Sequence, residues 1–134
     1  MQRIVLDTNV LLISIPKISP YRPIFDKLIS GEFILLITED IFQEYLEIIA
    51  QKTNYEISEN IGEMLNQLIN VERVQVFYQW DLIKKDPDDN KFVDCAISGN
   101  AKYIVTNDSH FRILKEIEFP KVDIISADDF LSEI

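Results

Sequence analysis

Arg3-Ile4-Val5-Leu6-Asp7-Thr8-Asn9 decides how the rest of the chain is read. Ile4, Val5 and Leu6 are apolar on consecutive positions rather than alternate ones, the pattern of a strand covered on both faces of a parallel sheet. Four similar short runs follow at 33–37, 74–77, 103–105 and 122–125. Between them the apolar spacing predicts helices near 21–30, 39–52, 58–70, 89–99 and 109–115. A last short helix is expected after Ser126, where Ser126 and Asp129 have capping-box spacing. Strands alternating with helices predict an α/β fold, three layers α/β/α around a central parallel sheet of about five strands. In the common order 3-2-1-4-5 the first and fourth strands are neighbours. The 134 residues are the length of one domain, 1–134.

Composition narrows the classes of function. With 47% apolar and 27% charged residues the chain is neither disordered nor of low complexity. A single cysteine makes no internal disulfide and builds no thiolate zinc site, which fits a reducing cytoplasm. The longest apolar stretches, 10–15 and 33–37, are far too short to span a bilayer, and Met1 leads into the first strand without a signal-peptide core. No membrane association is expected. The net charge of −10 argues against a protein that coats phosphates with basic residues. It leaves room for nucleic acid if a carboxylate site filled with divalent cations faces the phosphodiester.

Ligands of open parallel sheets bind beyond the carboxyl ends of the strands. Asp7 follows the first strand and Asp108 the fourth, so neighbouring strands bring them together. An acid after a strand is also an ordinary turn or cap residue. In the helix expected at 39–52, Glu44 borders the stripe of Ile41, Phe42, Tyr45, Leu46, Ile48 and Ile49 and is the acid closest to its buried face. It reads either as a half-buried carboxylate in need of a partner or as a surface side chain. In Asp86-Pro87-Asp88-Asp89-Asn90-Lys91-Phe92-Val93-Asp94, Asp88 or Asp89 suits a helix cap. Asp94 stands one turn inside that helix, where Asp is a poor helix former with no cap to make. Four acids converging from four segments repel one another. Divalent cations with oxygen ligands, Mg²⁺ or Mn²⁺, resolve that repulsion, and two such ions suit phosphodiester hydrolysis.

Leu6-Asp7-Thr8-Asn9-Val10 resembles the opening motif of the PIN-domain ribonucleases. The segments from Thr38 through Glu44, from Asp86 through Phe92 and from Tyr103 through Asp108 resemble its later motifs, in the same order and over nearly the whole chain. The branch with Asp-Pro-Asp-Asp is described as a toxin component of toxin–antitoxin systems. The resemblance implies a PIN-like sheet and a metal-dependent endoribonuclease, with RNA as substrate and a cognate antitoxin and a homodimer as further partners. It also implies that Asp7, Glu44, Asp94 and Asp108 hold Mg²⁺ or Mn²⁺, that Asn9 orients Asp7 through a hydrogen bond, and that Thr8 or Thr106 contacts phosphate. One departure stands out. Counting back from Thr106, the position of the third family acid falls on Asn90. Asp94 or Asp89 must then supply the charge, and Asp94 is preferred because capping explains Asp89.

Less is expected of the remaining polar and aromatic residues. His110, the only histidine, stands near the site and reads either as a contact to phosphate or, by default, as a surface side chain, and Cys95 reads as packing. Tyr78 and Trp80 suit either base stacking or a core or dimer contact. Lys84, Lys85 and Lys91 are the local basic cluster, a candidate for RNA backbone contact and a solvated face by default. Two other classes compete. A haloacid-dehalogenase-like phosphatase needs a second Asp two residues after the first, and position 9 is Asn. A non-catalytic PIN-like binding module needs no complete acid set, and this chain has one.

Overall fold

The computed structural model describes residues 1–134. Five strands form one sheet in the order β3-β2-β1-β4-β5, and every neighbouring pair is parallel. They are β1 (Arg3–Leu6), β2 (Ile34–Ile37), β3 (Val71–Arg73), β4 (Tyr103–Val105) and β5 (Ile124–Ile125). The helices are α1 (Thr8–Ser14), α2 (Arg22–Ile29), α3 (Glu39–Lys52), α4 (Tyr55–Gln67), α5 (Asn90–Ser98) and α6 (Ala127–Glu133). They cover the sheet in the three-layer arrangement expected, with the first and fourth strands side by side. None is long and apolar enough to cross a membrane.

The consecutive apolar residues of the central strands behave as two-faced burial requires. Ile4, Val5, Leu6, Leu35, Leu36, Ile37, Ile104 and Val105 are all fully buried, within one cluster of 30 core residues. Tyr45 of α3 is fully buried too, and its hydroxyl donates to the Leu6 carbonyl at 2.6 Å, tying α3 to the carboxyl end of β1. Side-chain caps set the starts of two helices, and α4 begins and ends three residues earlier than its apolar spacing predicted. Thr38 caps α3 by accepting from Ile41 N, and Asn54 caps α4 by accepting from Ile57 N. At the far end of α5, Asn100 takes a left-handed φ of 56° and Ala101 N returns to Ala96 O at 2.9 Å, which closes the helix.

Two local expectations are corrected and one helix is added. The third strand is Val71–Arg73, not 74–77: Val74 N still donates to Ile37 O at 2.7 Å, and beyond it the chain leaves the sheet as a long irregular segment. That segment leads to a 3₁₀ turn over Pro87–Asp89 that runs directly into α5. Helix α1, directly after Asp7, was not marked by any amphipathic spacing, because Val10, Leu11 and Leu12 place apolar side chains around most of its circumference. The helix expected near 109–115 is a 3₁₀ helix, Ser109–Glu116.

Candidate functional site

The carboxyl ends of β1 and β4 meet through one hydroxyl. Asp7 N donates to Val105 O at 3.0 Å, which extends the β1–β4 ladder by one residue and fixes the Asp7 backbone. Thr106 Oγ1 then donates to Asp7 Oδ2 at 2.8 Å and accepts from Asp108 N at 3.0 Å. Thr106 is therefore the residue that orients Asp7. Asn9, for which that role was expected, is exposed. Asp7 is 7% exposed, and burial pushes its pKa upward. The Thr106 hydroxyl opposes this shift, and the neighbouring charges of Asp108 and Glu44 add to it.

Asp108 has a structural duty as well. Its Oδ1 accepts from His110 N at 2.9 Å and caps the 3₁₀ helix. Glu44 enters from α3 and is held at both oxygens. The Thr8 hydroxyl donates to Oε2, and Lys91 Nζ lies 2.7 Å from Oε1 while also donating to Asp88 O at 3.0 Å. Lys91 is thus part of the site and not a solvated face. Thr8 and Thr106 both orient carboxylates.

The choice between Asp94 and Asp89 as the third acid turned on whether Asp89 caps its helix. Asp89 stands at the cap position of α5 yet makes no capping hydrogen bond. The 3₁₀ turn in front of α5 has already placed it at φ −72°, ψ −18°, a helical conformation, whereas a cap residue needs extended dihedrals to turn its side chain back onto the helix. Released from that duty, Asp89 is 9% exposed and its Oδ2 is buried without any partner. Its pKa is pushed up to about 7, by burial first and then by the charges of Asp108, Asp86 and Asp7, with His110 opposing.

Asp94 faces different neighbours. Its Oδ1 accepts from Trp80 N at 3.0 Å, and the charge that raises its pKa, after burial, is that of Asp81. The interior helical Asp that lacked a local explanation thus anchors the irregular segment. Asn90 anchors the same segment: Ile83 N donates to its Oδ1 and its Nδ2 donates to Ile83 O, both at 2.8 Å. The loop so held carries Trp80, whose ring packs edge-on against Tyr78 at 4.7 Å and Phe119 at 6.1 Å between centroids.

Two residues near the centre were not singled out as site groups by sequence reasoning. His110 Nδ1 lies 3.6 Å from Asp86 Oδ2, 3.6 Å from Asp89 Oδ2 and 3.5 Å from Asp108 Oδ1. Asp86 had been quoted only as part of the acidic loop. The position of His110 two residues after Asp108 was the signal available for it, and nothing local distinguished it from a surface histidine. A groove of about 1070 Å³ opens on the Glu44 side, lined by Glu44, Lys91, Asn90, Asp94, Asp81 and Phe77 among others. A smaller hollow of about 360 Å³ beside Asp108 carries Arg112 and Lys115.

A sheet that reverses strand order between β1 and β4, with buried carboxylates at that reversal, defines an α/β protein with an acidic centre at its switch point. The sequence profile of the PIN domain matches residues 3–110, and the chain belongs to the PIN-domain family. No protein of curated function matches it in sequence. Among solved structures it is similar to VapBC2 from Rickettsia felis, bound to a DNA fragment from its promoter, with TM-score 0.63, 17% identity, and 93% of this chain and 98% of that chain covered. DNA-bound VapBC from Salmonella typhimurium is similar with TM-score 0.60 and 19% identity, over 95% and 99% of the two chains. The PIN domain endonuclease Utp24 follows with TM-score 0.54 and 19% identity, over 92% and 84%.

Proposed function

We propose that this protein is a divalent-metal-dependent endoribonuclease of the cytoplasm, the toxin of a toxin–antitoxin pair. Its substrate is RNA, its cofactor Mg²⁺ or Mn²⁺, and its partners are an antitoxin and a second copy of the chain. The observation that carries this reading is the Asp89 carboxylate. It is buried and unpartnered at Oδ2 and is surrounded by the charges of Asp7, Asp86 and Asp108. An acidic centre that keeps a buried oxygen unsatisfied is the donor set of a cation site with oxygen ligands. The similarity to two VapBC complexes and to an endonuclease supports the same class.

On this reading Asp7, Asp89 and Asp108 hold the ion, Glu44 stands beside them, and Asp94 supports the aromatic loop. The ion supplies Lewis acidity toward water and the scissile phosphate. The chain supplies orientation. Thr106 fixes the Asp7 carboxylate, Thr8 and Lys91 fix that of Glu44, and Asp108 is fixed by its own cap to His110 N. Lys91 also tempers the negative potential that a polyanion meets on approach.

The test is cleavage of single-stranded RNA by purified protein. Activity is expected with Mg²⁺ or Mn²⁺ and none with EDTA. Asp7→Asn should lower it at least roughly a hundredfold, the upper end of what losing a partner of a metal ligand costs. The same variant should stay folded, with an unchanged or higher melting temperature, because a buried charge is removed. Wild-type cleavage by Asp7→Asn, in a preparation freed of contaminating nucleases, overturns the assignment.

A further inference from the structure

Asp86, Asp89 and His110 bring three donor atoms within 4.8 Å of one another, from the loop before the 3₁₀ turn, from the start of α5 and from the helix after β4. The separations of 3.5–3.6 Å between His110 Nδ1 and the three carboxylate oxygens are too long for hydrogen bonds. They are close to the edge of a coordination polyhedron, roughly 3.0–3.4 Å for donors bound about 2.1 Å from a common ion. Two of these atoms, Asp89 Oδ2 and His110 Nδ1, are buried and have no hydrogen-bond partner. Asp89 is 9% exposed and its orphaned oxygen is the one that faces the imidazole. A neutral histidine whose Nδ1 carried a proton would donate it to a carboxylate at this range with little adjustment. Two orphans facing each other among carboxylates instead mark a position that a cation completes.

We propose that His110 is a metal ligand through Nδ1, entering with Asp86 on the Asp89 side of the ion assigned above to Asp7, Asp89 and Asp108, and that this nitrogen makes the centre prefer a transition metal to Mg²⁺. The inference rests on reading the acidic centre as a cation site and adds the identity of a nitrogen ligand. Mg²⁺ is a hard ion that keeps oxygen ligands and gives up water reluctantly. Imidazole binds first-row transition ions far better, so a single nitrogen among carboxylates shifts the selectivity of the site.

Mn²⁺ is the probe. In pulsed electron paramagnetic resonance of the protein loaded with one equivalent of Mn²⁺, imidazole ¹⁴N modulation is expected. The chain has a single histidine, so growth on ¹⁵N-histidine should replace that modulation with the ¹⁵N pattern in otherwise unaltered protein. His110→Gln should bind Mn²⁺ without the modulation, and its preference for Mn²⁺ over Mg²⁺ in calorimetric competition should narrow. Stoichiometric Mn²⁺ binding with no imidazole modulation, or a selectivity unchanged in His110→Gln, overturns the ligand assignment and leaves the oxygen-ligand reading standing. Absence of stoichiometric Mn²⁺ binding overturns both.

Discussion

At the scale of single residues, Asp89 is the group whose state depends most on its surroundings. Its pKa of about 7 lies above the ordinary carboxylate value near 3.9, so the folded chain holds a proton there that the unfolded chain releases. Between about pH 4 and pH 7 the native state binds more protons than the unfolded one, and metal-free stability falls as pH rises through that window. Asp89→Asn removes the titration. In EDTA the variant should be more stable than wild type at pH 7.5, by about 1–2 kcal/mol once solvent screening is allowed for, with the difference vanishing near pH 4. Urea denaturation at the two pH values measures this, and equal midpoints for the two proteins at pH 7.5 refute it. The same substitution should weaken Mn²⁺ binding, whereas Asp94→Asn, whose partner is the Trp80 amide, should leave binding close to wild type. Preferring Asp94 from sequence rested on capping as the explanation of Asp89. That premise does not hold in the structure, because a 3₁₀ turn puts Asp89 into helical dihedrals, which no residue type in Asp86-Pro87-Asp88-Asp89 announces.

At the scale of elements, the segment between β3 and α5 depends on two side chains of α5 for its shape. Asn90 makes a paired contact with both backbone groups of Ile83, and Asp94 receives the Trp80 amide. Asn90→Ala leaves those buried backbone groups unpaired and should cost about 1–3 kcal/mol. Amide exchange at Ile83 should accelerate together with the loss of stability, and unchanged protection there would show that the loop is held by other contacts. Asn90→Asp should not restore a family-like third acid, since this side chain is engaged with Ile83 and Asp81. The elements that sequence reading found are those whose pattern is enforced by burial on two sides, β1, β2 and β4, and the amphipathic α3, α4 and α5. Those it misplaced are weakly patterned. Edge strand β3 exposes Glu72 and Arg73, which pair with Arg3 and Glu39, so its sequence resembles a loop, while the β-branched Val74 and Val76 beyond it resemble a strand. The place of Asp7 and Asp108 at neighbouring strand ends was legible because both acids directly follow apolar strand runs and the common strand order 3-2-1-4-5 makes those strands neighbours. The loops that bring Asp86 and His110 together were not, since their contact joins segments 24 residues apart through tertiary geometry.

At the scale of the whole molecule, a net charge of −10 works against the compact state through self-repulsion, and Asp7, Asp86, Asp89 and Asp108 add a local repulsion where they meet. Monovalent salt relieves the diffuse part by screening. A divalent ion bound at the acidic centre relieves the local part and adds binding energy that the unfolded chain does not receive. The two effects separate experimentally. At matched ionic strength, Mn²⁺ at about 100 times its dissociation constant should add about 2.7 kcal/mol of stability to the native state. For a chain of this length that corresponds to a rise in melting temperature of roughly 10 °C. Sodium chloride at the same ionic strength should give a much smaller rise. Asp7→Asn should start from an equal or higher melting temperature without metal, because its buried charge is gone, and should gain less from Mn²⁺ because a ligand is gone. The two curves should therefore converge or cross as Mn²⁺ is added. Parallel curves, with wild type and variant gaining equally, would place the stabilising ion elsewhere on the acidic surface and remove the thermodynamic support for a metal centre at the ends of β1 and β4.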